Sequence, residues 1–177
     1  MYDLNETIAA ELFEGLNYPW EALAKIGDFI KKLGPTLPAD EYDQVGENVW
    51  IAKSAKVFPS AYINGPAIIG KEAEVRHCAF IRGNAIVGEG AVVGNSTELK
   101  NCILLDKVQV PHYNYVGDSV LGNKAHMGAG SICSNLKSDG KPVVIHGDED
   151  YVTGLRKIGG ILADGADVGC GCVINPG

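Results

Sequence analysis

PAIIGKEAEVRHCAFIRGNAIVGEGAVVG, residues 66–94, sets an aliphatic residue at every sixth position: Ile69, Val75, Ile81, Val87 and Val93. Two places before each stands an alanine: Ala67, Ala73, Ala79, Ala85 and Ala91. Six is a multiple of two, so equivalent residues on successive short strands point the same way; on a helix, six residues carry a side chain round to the opposite face. The aliphatic column extends outward to Ile51, Val57 and Ile63 on one side and to Leu99 and Leu105 on the other. Its small companion runs from Val49, Ala55 and Ala61 to Thr97 and Ile103. A solenoid of short parallel strands satisfies both columns, because aliphatic residues stack coil on coil and the small residue lets the chain turn a tight corner. Gly70, Gly88 and Gly94 directly follow the aliphatic position, which predicts corners that need positive φ.

The phase slips after residue 105. VQVPHYNYVGD (108–118) puts Pro111, His112, Tyr113 and Tyr115 where small or aliphatic residues are due, as though a loop left the coil there. The column recovers through Val116, Leu121, Met127 and Cys133. It is lost again from Leu136 to about Gly159, where SDGKPVVIHGDEDYVTG predicts a loop or hairpin, and Leu162, Val168 and Ile174 resume it. The chain stops at Gly177 in mid-coil; an open solenoid end exposes strand edges and apolar core, so a truncation or a cover is expected there. Residues 1–44 differ in kind. NETIAAELFEGL and PWEALAKIGDFIKKLG carry apolar residues at helical spacing, the second opening on a proline and closing at Gly34. The expected organisation is a helical cap over the first coil (1–44) followed by the solenoid (45–177).

The chain has 177 residues, 46% hydrophobic and 21% charged, enough to bury a core. A net charge of −7 argues against nucleic acid, because no basic face is left for a phosphate backbone. No apolar run approaches the roughly 18 residues of a membrane span, and the acidic start MYDLNETIAAEL is unlike a signal peptide; no membrane partner and a cytoplasmic location are expected. Five cysteines without a CxxC pair read as reduced thiols.

Function should concentrate where polar residues interrupt the scaffold. His112 is the leading catalytic candidate: it follows Pro111, whose fixed φ anchors the chain, and an imidazole can take a proton from a nucleophile near neutrality. Glu98, fourteen residues earlier, is a candidate to orient its ring. Arg82 and Lys100 each follow the aliphatic column and lie eighteen residues apart, so they stack on one edge; two stacked cations imply an anion between them, such as phosphate. His77, His112, His126 and His146 include no closely spaced pair, so no metal is expected.

The repeat resembles that of hexapeptide-repeat proteins, which are left-handed parallel β-helices with three strands per coil. VPHYNYVGDSVLG, followed by MGAGSICSN and preceded by VGNSTELKN, is closely similar to one family among them. That family is the acetyltransferase half of bifunctional N-acetylglucosamine-1-phosphate uridylyltransferase/glucosamine-1-phosphate N-acetyltransferase enzymes and related sugar-1-phosphate nucleotidylyltransferases. The resemblance covers residues 45 to 177. It implies that His112 is the general base for a sugar amine attacking acetyl-CoA, and that Arg82, Lys100 and Tyr115 hold the sugar phosphate. Asn135 and Lys141 would contact the amino sugar, with His126 standing where many relatives have asparagine. The backbone N–H of Ala129 would face the oxyanion and the thioester, Arg156 and Lys157 would lie near the phosphates of coenzyme A, and a homotrimer would complete the site. No LxAGxGxRM segment is present, so uridyl transfer is not expected. The expectation is an acetyl-CoA-dependent N-acetyltransferase for an amino-sugar phosphate; the competing reading is a non-catalytic hexapeptide-repeat scaffold or regulatory subunit.

Overall fold

The computed structural model describes residues 1–5 and 7–177; Glu6, inside the first expected helix, lies outside the described residues. From Val49 onward the chain winds into a parallel β-helix whose coils each lay short strands on three faces. Face one stacks Val49–Ala52, Ala67–Ile69 and Ala85–Val87, then the distal halves of Glu98–Leu104 and Tyr115–Leu121, then Ile161–Leu162. Face two stacks Lys56–Val57, Glu74–Val75, Val92–Asn95, Gln109–His112, His126–Met127 and Asp167–Val168. Face three stacks Tyr62–Ile63 and Phe80–Ile81, the proximal halves of the two long strands, Ile132–Cys133 and Val173–Ile174.

The interior holds both expected columns up to Leu99 and Thr97, and then departs from them. Val49 pairs with Ala67 and Ala67 with Ala85, eighteen residues apart, but Ala85 pairs with Cys102 and Cys102 with Ser119, seventeen apart. One residue is missing from the corner between faces three and one. Arg82, Gly83 and Asn84 separate Ile81 from Ala85, whereas only Lys100 and Asn101 separate Leu99 from Cys102. The interior members of this coil are therefore Cys102 and Leu104, both fully buried in the solenoid core, and not the expected Ile103 and Leu105. Ile103 and Leu105 point outward into a second apolar layer.

That second layer is what the N-terminal segment covers. Trp50, Ile68, Ile86, Ile103, Val120 and Ile161 form an outward apolar ladder on face one, and Ala9, Leu12, Leu23, Ile26 and Ile30 bury it. The expected cap over the first coil is thus a cover along a face. A solenoid strand shows its second side to water unless something lies on it, and face one is aliphatic on both sides. The segment is also less helical than its spacing predicts: one α-helix, Ile26–Leu33, with 3-10 turns at Ala10–Phe13, Pro19–Ala22 and Gly34–Thr36. Gly15, at φ 71°, and Pro19 interrupt the spacing before a long helix can form. Below the first coil, Tyr42–Gly46 runs antiparallel to Val49–Ala52 and pairs its open edge.

VQVPHYNYVGD contains no extruded loop. Gln109–His112 pairs in parallel with both neighbouring coils, and Asn114 occupies the interior position that an alanine fills lower down. The corner works like those beneath it, with a positive φ at its third residue: Cys78 (58°), Ser96 (54°), Tyr113 (52°) and Gly130 (71°). The glycines after the aliphatic column serve closeness and not φ; Gly70, Gly88 and Gly94 all keep negative φ, and a Cβ on Gly94 would lie 1.6 Å from the carbonyl oxygen of Pro111 in the next coil. The real excursion is 136–158, where Val144–His146 and Asp150–Val152 form an antiparallel hairpin and Leu136 bridges Lys157 at its neck.

Candidate active site

Two corners flank face three, and the candidate residues divide between them. At the corner from face three to face one, the turning residues are Asn84, Asn101 and Asp118, with φ of 48°, 50° and 49°. Asn and Asp tolerate this left-handed conformation because their short polar side chains can bond locally. Asp118 is 4% exposed and is the hub of a polar cluster. Lys100 Nζ donates to its Oδ1 and Oδ2 at 3.0 and 2.9 Å, and Asn101 Nδ2 donates to Oδ1 at 2.9 Å. Asn135 Nδ2 makes a short bond to Oδ2 and a second, of 3.2 Å, to the Tyr115 hydroxyl. Burial pushes the Tyr115 phenol up, with the Asn135 bond opposing, so it stays protonated near neutrality.

Arg82 stands one coil below Lys100, as its spacing predicts. Its Nη1 bonds Glu98 Oε1 at 2.8 Å, and that bond pushes the guanidinium further up. Glu98 is therefore engaged with Arg82, and no hydrogen bond joins it to His112 among the described residues; it lies on face three, in register with Tyr115. The stacked cations need no external anion to coexist, because Glu98 and Asp118 each neutralise one. Arg156 and Lys157 line the same corner from the excursion, in a cavity of about 580 Å³ shared with Asn101, Asp118, Leu23 and Leu155. Arg156 Nε bonds only the Gly140 carbonyl, and neither cation has a carboxylate partner among the described residues. The cleft continues over Lys100 and Asn84 beneath Gly27 of the N-terminal segment, then past Arg82 to Pro66.

The other corner, between faces two and three, carries His112 and Ala129 on adjacent coils. Gly130 N–H donates to the His112 carbonyl at 3.0 Å. Asn114, buried inside the coil, ties the two turns together. Its Oδ1 accepts from His112 N–H at 3.0 Å, and its Nδ2 donates to the carbonyls of Gly128 and Ser131 and to Ser131 Oγ at 2.9, 3.1 and 3.0 Å. The His112 imidazole is exposed and hydrogen-bonds no described residue, and the Ala129 N–H is likewise unengaged. His126 sits on face two of the same coil as Ala129, with Nδ1 2.8 Å from Asp167 Oδ1. Lys141 is exposed on the excursion and reaches neither corner cluster. His77 packs against Phe58 and His146 pairs with Asp150, so the four histidines are dispersed. Among the described residues, no three metal-ligating side chains gather and no helix is long and apolar enough to cross a membrane.

Because the buried Asn114 side chain bonds four polar groups of the two turns, Asn114→Ala is expected to lower stability by about 2–3 kcal/mol, read as a shift of the urea midpoint at constant slope.

Asp118 and Asn101 escaped the sequence reading. The signal was a ladder at intervals of seventeen, Asn84, Asn101, Asp118 and Asn135, which a period of eighteen does not register.

Residues 63–176 match the family described as GMPPB C-terminal domain. The bifunctional protein GlmU of Methanococcus maripaludis is 33% identical over 164 residues, spanning 92% of this chain and 40% of that protein. A bifunctional sugar-1-phosphate nucleotidylyltransferase/acetyltransferase of Sulfurisphaera tokodaii is 33% identical over 86 residues, 48% of this chain and 21% of that protein. The acetyltransferase domain of PglB from Neisseria gonorrhoeae shares the fold, with a TM-score of 0.50 at 18% identity over 92% of this chain and 66% of that one. The coils and their polar corners thus define a parallel β-helix domain of hexapeptide-repeat architecture. The chain belongs to the GMPPB C-terminal domain family and is akin to the acetyltransferase half of GlmU-like proteins. It spans less than half the length of these curated relatives.

Proposed function

We propose that this chain transfers an acetyl group from acetyl-CoA to the amine of a hexosamine 1-phosphate or a closely related amino-sugar phosphate. The observation that carries the reading is the corner where Arg82, Lys100, Tyr115, Asp118 and Asn135 converge, in a chain one third identical to a GlmU over nearly its whole length. Arg82 and Lys100 would share the acceptor phosphate, and Tyr115 and Asn135 its sugar hydroxyls. His112 would take a proton from the neutral sugar amine as its nitrogen attacks the thioester carbonyl. The Ala129 N–H would receive the developing oxyanion, and the thiolate of coenzyme A would leave. Arg156 and Lys157, the cations without carboxylate partners, suit the phosphates of coenzyme A.

His112 and Asp118 lie six residues apart at opposite ends of one face-three strand, about 20 Å along an extended chain at 3.3 Å per residue. An acceptor held at one corner would not reach His112 of the same chain. A neighbouring copy would bring the two corners together, which favours a homotrimer with the site between subunits. Tyr62 (62% exposed), Phe80 (41%) and Val173 (54%) leave face three apolar, as such an arrangement requires.

Thiol release with acetyl-CoA and a panel of hexosamine 1-phosphates, 6-phosphates and free hexosamines tests this. Turnover confined to the 1-phosphates is expected; no thiol release with any acceptor overturns it. The scaffold reading draws on His112 having no partner to orient its ring. Calorimetry with coenzyme A separates the two, since a scaffold predicts no binding.

A further inference from the structure

We propose that Asp118 is a positioning residue that aims Lys100 and Asn135 at the acceptor, an inference that rests on the acetyltransferase reading above. The corner itself does not call for a carboxylate. Coils below turn the same corner with Asn84 and Asn101 at nearly the same φ, and the coil above begins its departure at Asn135. Three neutral amides and one carboxylate occupy equivalent places on successive coils. The carboxylate is also the costly choice, because Asp118 is 4% exposed and a buried anion needs every lone pair engaged.

Those lone pairs are engaged by groups that matter elsewhere. Oδ1 accepts from Lys100 and Asn101, and Oδ2 from Lys100 and Asn135, which fills the usual capacity of a carboxylate. Lys100 has a flexible four-carbon stem, and two bonds to one carboxylate confine its ammonium to a single place over the cleft. Asn135 is fixed with its amide between Asp118 and the Tyr115 hydroxyl. An asparagine at 118 cannot reproduce this. One of its two atoms is an NH₂, which must face the Lys100 ammonium together with either the Asn101 or the Asn135 amide as donor against donor. Asp118→Asn therefore keeps the corner's shape and left-handed φ while releasing the two groups.

The expected result is a rise of about 10-fold or more in KM for the acceptor, with kcat within about 3-fold and KM for acetyl-CoA unchanged. Lys100→Met should raise the acceptor KM comparably, and the double variant should add less than about 2-fold to either, since both remove one arrangement. A purely structural carboxylate predicts a lowered unfolding midpoint with both KM values unchanged, and that outcome overturns the proposal. A second measurement needs no turnover: acylation of Lys100 by an N-hydroxysuccinimide ester, followed by mass spectrometry. Lys100 is expected to label several-fold faster in Asp118→Asn than in the wild type, and equal rates overturn the placement. A wild-type chain that acetylates no acceptor sinks the functional reading, and the labelling comparison then decides the role of Asp118 alone.

Discussion

His112→Ala is expected to lower turnover in the thiol-release assay by about 10²-fold or more while leaving the unfolding midpoint unchanged. The ring is exposed and bonds no described residue, so its removal opens no cavity and strands no polar partner. What holds the turn is backbone: His112 N–H to Asn114 Oδ1, and the His112 carbonyl from Gly130 N–H, both 3.0 Å. Alanine keeps both bonds. Any loss of rate therefore reports on chemistry and not on folding, and acetyl-CoA binding by calorimetry should match the wild type. Near wild-type turnover would remove His112 as the base.

Gly94→Ala has the opposite signature. The added Cβ would lie 1.6, 2.0 and 2.4 Å from the carbonyl oxygen, carbonyl carbon and Cα of Pro111. These are backbone atoms of the next coil, locked by Pro111 and by the parallel pairing of Gln109–His112, so no side-chain rotation relieves the clash. The coils would have to separate at the turn that carries His112. A stability loss upward of about 3 kcal/mol is expected, read by urea unfolding of purified protein, with acetyl transfer falling in parallel. A Gly94→Ala chain of unchanged midpoint would show that the coil spacing at this corner yields to a methyl group.

The hydrophobic period was legible because a solenoid is a local object: Ile69, Val75 and Ile81 meet their equivalents at a constant offset, and nothing distant has to be known. The count failed at Leu105 because one missing residue at the Leu99–Cys102 corner shifts everything after it, and Leu104 and Leu105 are the same residue type. Ile103 fits an interior column as well as an outward ladder, so only the packing of Ile26 and Ile30 over face one shows which it joins. The site was legible in part. Arg82, Lys100, Tyr115 and Asn135 were named from spacing and resemblance, and the fold brings them to one corner. The Glu98–Arg82 bond was not legible, because distance in sequence does not say which side of a strand a carboxylate occupies.

By itself the sequence determined the parallel coils, the hairpin excursion, the family and most of the polar residues that line the corner. These follow from periodicity and from short motifs whose members are neighbours in the chain. Only the tertiary structure decided that VQVPHYNYVGD stays in register, that the N-terminal segment covers a face, and that Asp118 organises the cluster. Each depends on which residues seventeen or more positions apart come into contact. Hydrogen bonding and steric closeness across coils settle that, and the order of residues along one coil does not express it.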